Sequence, residues 1–145
     1  MPVPADVAAL NVLDRVDYKD AFAIDTSGSR TAEQWARRCF EVDPPQMLRT
    51  ARLILERFGA HAEQPELAGI AGLTILRNEP EQVVLGFAVN FGTPRIIFSA
   101  MPGRLVMTTL IRFDASSGPL MWAAIGWLHR ITARALVDRA AHVTA

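Results

Sequence analysis

Between Leu73 and Phe113 apolar runs alternate with short polar breaks, and each break is made of residues that turn a backbone. Leu73 to Arg77, Gln82 to Phe91, Pro94 to Met101 and Arg104 to Phe113 read as four strands, separated by Asn78-Glu79-Pro80-Glu81, Gly92-Thr93 and Pro102-Gly103. Connections this short leave no room for a crossover, so neighbouring strands must run antiparallel. In the last strand a period of two puts Leu105, Met107, Thr109, Ile111 and Phe113 on one face and Arg104, Val106, Thr108, Leu110 and Arg112 on the other. Charges at both ends mark that second face as the solvent side.

Upstream, Asp17 to Ile24 (DYKDAFAI) precedes the turn cluster Thr26-Ser27-Gly28-Ser29 and predicts a short strand, with Tyr18 and Asp20 outward against Phe22 and Ile24. Thr31 and Gln34 have the spacing of a capping box, in which each side chain satisfies a backbone N–H that the first helical turn leaves unpaired. The helix they open carries Ala32, Trp35, Ala36, Cys39 and Phe40 at helical spacing and should end near Val42. Asp43-Pro44-Pro45 signals a second start. There Met47, Ala51, Ile54, Leu55 and Phe58 form an apolar stripe, Arg49, Arg52, Glu56 and Arg57 lie opposite, and Gly59 supplies the stop. His61 to Leu67 is polar and reads as loop.

Gly118 to His142 is one long helical pattern. Met121, Ile125, Leu128, Thr132 and Leu136 run along one stripe, Trp122 and His129 flank it seven residues apart, and Arg130, Arg134 and Asp138 project opposite. Strand, helix, helix, meander, helix predicts an α+β fold: a curved antiparallel sheet of about five strands, two short helices, and a long C-terminal helix that the sheet grips. With no repeat, linker or composition shift, residues 1–145 make one domain.

Composition adds a cavity to this picture. Half of the residues are hydrophobic while 21% are charged, an apolar surplus that an internal cavity or an oligomer interface would absorb. Fifteen basic and fifteen acidic residues cancel, which argues against nucleic acid or an anionic membrane surface as partner. The apolar stretch Leu120 to Leu128 falls short of the ~20 residues a membrane span needs, so no integral membrane segment is expected. Met1 to Val16 lacks the basic-then-apolar order of a signal peptide, and a cytoplasmic location is the expectation. The single cysteine, Cys39, falls on an apolar helix face and reads as a small buried hydrophobe.

Most reactive chemistries lack their usual residues. His61-Ala62-Glu63 imitates the H-x-E of zinc deaminases, but no cysteine pair follows, and His61, His129 and His142 have no metal-ligand spacing. Gly69-Ile70-Ala71-Gly72 lacks the third glycine of a dinucleotide loop, and neither G-x-S-x-G nor G-K-[ST] occurs. No metal or cofactor is expected. What remains is His129, whose imidazole can donate and accept on a helix flank beside the cavity, although pinning the helix by a bond to backbone or a nearby acid is the commoner use. Thr109 and Thr132 are polar on apolar stripes; such hydroxyls more often return to a backbone carbonyl than read a ligand. For Asp17, Tyr18 and Asp20, a cap or a pair with Arg112 or Lys19 is the expectation rather than a carboxylate at a pocket mouth.

The segments DYKDAF at 17–22, AEQWARRCFE at 32–41, LGFAVNF at 85–91, and RLVMTTLIRFD with PLMWAAIGWLHR through 130 together resemble a bacterial family of uncharacterised domains placed near the START and polyketide-cyclase-like (SRPBCC) superfamily. The resemblance covers roughly Asp17 to Ala140 and implies a helix-grip fold with an apolar pocket between sheet and C-terminal helix. In many superfamily members that pocket holds a lipid, sterol, polyketide or plant hormone. Where the closer family more often carries a proline shortly before the helix histidine, this chain has Gly126-Trp127-Leu128-His129.

The leading expectation is non-catalytic binding or carriage of a small hydrophobic molecule, with Trp122, Ile125, His129, Thr132, Leu136, Phe98, Met107 and Thr109 lining the site. Two alternatives stand beside it. One is an enzyme of cyclase, aromatase or dehydratase type in which His129 with Thr109 or Tyr18 moves a proton. The other is an interaction domain with a filled cavity, its surplus spent on a homodimer or partner through Val84, Ala88 and Ile97.

Overall fold

The structure, a computed structural model, describes Val3 and residues 12–41, 46–64 and 66–142. The Asp43-Pro44-Pro45 start signal, the helix end expected at Val42 and most of the N-terminal stretch lie outside the described residues. Among the described residues nine elements follow in order: β1 (Tyr18–Asp25), α1 (Ala32–Glu41), α2 (Gln46–Arg57), β2 (Gly69–Ile70), β3 (Leu73–Glu79), β4 (Gln82–Gly86), β5 (Gly92–Met101), β6 (Arg104–Phe113) and α3 (Gly118–His142). The strands form one curved antiparallel sheet in the order β1-β6-β5-β4-β3-β2, with the three helices on its inner face and α3 packed against β1, β6, α1 and α2. This is the α+β helix-grip architecture.

Local chemistry explains the element boundaries. At the start of α1 the Thr31 backbone N–H donates to Gln34 Oε1 at 2.9 Å, and the Gln34 N–H donates to Thr31 Oγ1 at 3.2 Å. Both halves of the expected capping box are made, a motif that adds about 1 kcal/mol to a helix. Buried Trp35, Cys39 and Phe40 then seat α1 on the sheet. On the same helix, buried Arg38 donates from Nε to Ala140 O at 2.8 Å and so closes the last turn of α3. Between β5 and β6, Pro102 precedes Gly103 at φ 75°, the order that a type II turn requires.

The sheet departs from the sequence expectation in three places. β4 stops at Gly86 rather than Phe91, and β5 begins at Gly92 rather than Pro94. Gly86 pairs with Arg95, and beyond that pair Pro94 and Thr93 have only β6 beside them until Gly92 meets Val89. Pro94, which has no N–H to give, therefore sits where one side of the strand is an edge. Residues 87–91 leave the sheet as a flap, closed by paired hydrogen bonds between Val89 and Gly92. An extra strand, β2, forms from the Gly69-Ile70 pair, and Ala71 and Gly72, both at positive φ, turn it into β3. The glycine pattern that resembled part of a dinucleotide loop is a hairpin turn.

The third departure concerns the outer face. Val106, Thr108 and Leu110 are buried, although the charges that bracket them pointed to solvent. Leu13 packs there with Val84, Ile97 and Leu110, joined by Val3, Val12 and Leu76. Asp14 and Asp17 fasten this strap, the first by accepting from Arg112 at 2.8 Å and the second from the Phe113 N–H at 2.8 Å. Of the three apolar positions expected to be in surplus, Val84 and Ile97 are covered within the chain, while Ala88 lies past the end of β4, half-buried and bridged to His61. Exposed apolar side chains lie instead on the helices, Leu53 on α2 and Leu120, Trp127 and Ile131 on α3, and at Val16, Leu67 and Met101. No helix of the described residues is long and apolar enough to cross a membrane.

Candidate functional site

A cavity of about 130 Å³ lies between the inner face of the sheet, α2 and α3. Pleat and helical pitch decide who meets there. Every second residue of β6 points inward, which brings Met107, Thr109 and Ile111 to the floor, with Pro94 and Ile96 of β5 beside them. On α3 the spacing 122, 125, 129, 132, 136 places Trp122, Ile125, His129, Thr132 and Leu136 along one wall. Seven of the eight residues expected at the site therefore line one space. Phe98 does not: it stands on the same inner face as Pro94, Ile96 and Met107 but is fully buried under α1, its ring edge-on to Phe40 at 5.9 Å, and Phe40 is what the cavity touches.

Two walls were not assigned from sequence. Leu48, Ala51 and Leu55 of α2 form one, and this helix is the loosest part of the enclosure, with Leu48 its one buried side chain among the described residues. Ala51 and Leu55 belong to the amphipathic stripe read from the sequence, but nothing in that stripe told a cavity wall from ordinary core, and Leu48, which the helix buries, lies beside Met47 and outside it. Phe87, Val89 and Phe91 of the flap close another side. Their alternation was visible too, as a continuation of β4. At the rim, Arg52 donates from Nη2 to Ala71 O at 3.1 Å, so the guanidinium is tied to the β2–β3 turn.

Polar groups gather at the Trp122 end. His129 Nε2 lies 3.0 Å from Asp20 Oδ2, which also accepts from the Tyr18 hydroxyl at 2.6 Å. Asp20 faces inward because Tyr18, Asp20, Phe22 and Ile24 share one face of β1, paired in register with Ile111, Thr109, Met107 and Leu105. The expected outward direction for Tyr18 and Asp20, and the expected pairing of Asp20 with Arg112 or Lys19, are both corrected by this register. Burial and then the bond to Asp20 push the Tyr18 hydroxyl up to about 12, so it is a donor at neutral pH. Trp122 stands edge-on to Tyr18 at 4.9 Å between ring centres and 5.2 Å from the His129 ring. Built onto Gly126, a Cβ would come within 3.1 Å of the Trp122 indole, so the missing side chain makes room for that ring.

The arrangement gives His129 the pinning role: it joins α3 to β1 through Asp20. The threonines differ from their commoner role. Thr109 and Thr132 are 2% and 5% exposed, and neither hydroxyl has a hydrogen-bond partner. Trp122 Nε1 and Asp20 Oδ1 are likewise buried and unpartnered. A buried hydroxyl without a partner costs about 1–3 kcal/mol, so an apolar chamber holding two of them is not optimised for its own stability. Cys39 adds no reactivity, since burial pushes its thiol up to about 12.

Against this geometry the comparisons are silent: the chain matches no family model, no curated protein and no solved structure.

Proposed function

We propose that the protein binds or carries a small hydrophobic molecule, without transforming it, in the cavity between the sheet and α3. The observation that carries this reading is the cavity itself, about 130 Å³ and walled almost wholly by aliphatic and aromatic side chains. Space left open in an interior that normally packs like a crystal costs stability, and a bound apolar molecule recovers it. Size narrows the occupant. An apolar cavity of about 150 Å³ takes up benzene, whereas drug-sized ligands occupy roughly 300–1,000 Å³. A single ring or a short branched chain therefore fits better than a sterol or an extended polyketide.

Thermal unfolding in the presence of toluene, cyclohexane and short alkanes tests the reading. A ligand at a hundred times its Kd adds about 2.7 kcal/mol to stability. A midpoint that none of these compounds moves would remove binding as the function.

A second reading is favoured by the hydrogen-bonded chain Tyr18, Asp20 and His129 at the cavity's polar end. A carboxylate that orients an imidazole is the arrangement general acid–base catalysis uses, and it would suit a cyclase, aromatase or dehydratase. Its test is kinetic. If a substrate is turned over, His129→Gln should lower kcat while thermal stability stays within a few degrees; unchanged kcat eliminates the histidine as acid or base.

A further inference from the structure

We infer that the occupant of the cavity is a neutral molecule carrying one hydroxyl group, of the size and kind of a phenol or a cyclic alcohol, held by Thr109 and Thr132. The inference rests on the binding reading and adds the chemistry of the ligand to it. Both side chains are more than nine-tenths buried, both line the cavity, and both hydroxyls are unpartnered. They approach it from opposite sides. Thr109 rises from the floor on β6, directly across the β1 pairing from Asp20, while Thr132 sits one helical turn beyond His129, the residue that Asp20 holds. The register and the helical repeat thus bring both to the same polar end of the chamber.

A hydroxyl is the group that suits this pair, because a threonine can both donate and accept, and so can an alcohol or phenol. One ligand oxygen can accept from one threonine and donate to the other. Ionised head groups suit it poorly. Arg52, the guanidinium among the lining residues, is tied by Nη2 to Ala71 O at the β2–β3 turn, the opposite edge of the sheet from β1, and His129 is engaged with Asp20, so a carboxylate seated between the two threonines would give up its hydration without a guanidinium of the lining beside it. An ammonium would shed its hydration into an almost wholly apolar space.

Toluene and phenol make the decisive pair, since they have nearly one shape and differ by a methyl for a hydroxyl. In a chamber that offers no hydrogen bond, toluene binds tighter, because phenol leaves its water partners behind without replacement. Calorimetric titration of the full chain should show the reverse, with phenol tighter than toluene by about tenfold, the return expected for one well-made buried hydrogen bond. In Thr109→Val and Thr132→Val, shape-conserving changes that remove an unpartnered hydroxyl, the order should invert in favour of toluene. Toluene tighter than phenol in the unaltered protein overturns the inference and leaves the binding reading intact. Benzoate or benzylammonium tighter than phenol overturns it as well. Failure of every compound to bind removes both.

Discussion

His129 and Asp20 stand 109 residues apart in sequence and 3.0 Å apart in space, and their bond fastens the middle of α3 to the edge strand β1. Both side chains are mostly buried, so removing one partner strands the other. His129→Leu should lower unfolding stability by about 2 kcal/mol. Asp20→Asn should cost about 1 kcal/mol, because the amide oxygen still accepts from Tyr18 and His129. Urea unfolding of the two single variants and the double variant checks the pair: a double loss smaller than the sum of the singles by about 1 kcal/mol is the signature of direct coupling. Strictly additive losses would show that the two residues do not act together.

Tyr18 is the chain's single tyrosine, so phenolate absorbance reports on it alone. Its hydroxyl is held at about 12 by burial and by Asp20, against about 10 for an exposed tyrosine. A group whose folded pKa is raised keeps its full contribution to stability below the unfolded value and loses it as pH climbs from there to the folded one. The fold should therefore weaken from about pH 10 to about pH 12. Asp20→Asn should move the phenolate transition downward, while leaving it above the exposed value because burial is the larger cause. A transition near 10 in the unaltered, folded protein would contradict the buried position of the ring.

Periodicity made most of the scaffold legible. The Thr31 and Gln34 capping box, the inward face of β6, and the α3 stripe all follow from short-range rules, and short-range rules act within a few residues of sequence. For that reason seven of the cavity residues follow from the sequence pattern alone. What could not be placed depends on pairing between distant segments. Tyr18 and Asp20 share the parity of Phe22 and Ile24, so alternation alone puts all four on one face; polarity argued otherwise, and the inward partner His129 is what makes a buried aspartate tolerable. Val106, Thr108 and Leu110 looked solvent-facing because the strap that contributes Val12 and Leu13 crosses the sheet from nearly a hundred residues away in sequence. The length of β4 was hidden for a similar reason: it ends where Pro94 turns one side of β5 into an edge, a property of the neighbour and not of β4's own residues.

Ala71 holds φ 53° in the turn between β2 and β3, the one residue other than glycine at positive φ among the described residues. In that region a Cβ crowds the following carbonyl at a cost of roughly 1–2 kcal/mol, which glycine avoids while losing more backbone entropy on folding. Ala71→Gly should therefore leave the protein as stable or raise its stability by about 0.5 kcal/mol, where the same change in a helix would lower it. Denaturant midpoints of the two proteins decide the matter. A loss of about 1 kcal/mol would mean that the Ala71 methyl, which borders the cavity, contributes more by packing than it costs in strain.

Ala51 tests whether the chamber is open. It lies on α2, half-buried, with its methyl on the cavity wall. Leucine at this position adds three carbons, each worth about 0.8 kcal/mol if it is buried in space that already exists. In a filled core the same change forces neighbours apart at about 1–3 kcal/mol. With about 130 Å³ to enter, and with α2 the wall that has least buried surface, Ala51→Leu should stabilise the protein by about 1 kcal/mol. It should also weaken toluene binding, because the new side chain takes the ligand's place. Stabilisation together with weaker binding shows that side chain and ligand compete for one space. Destabilisation would mean that the protein's own atoms already fill it, and binding as a function would lose its physical basis.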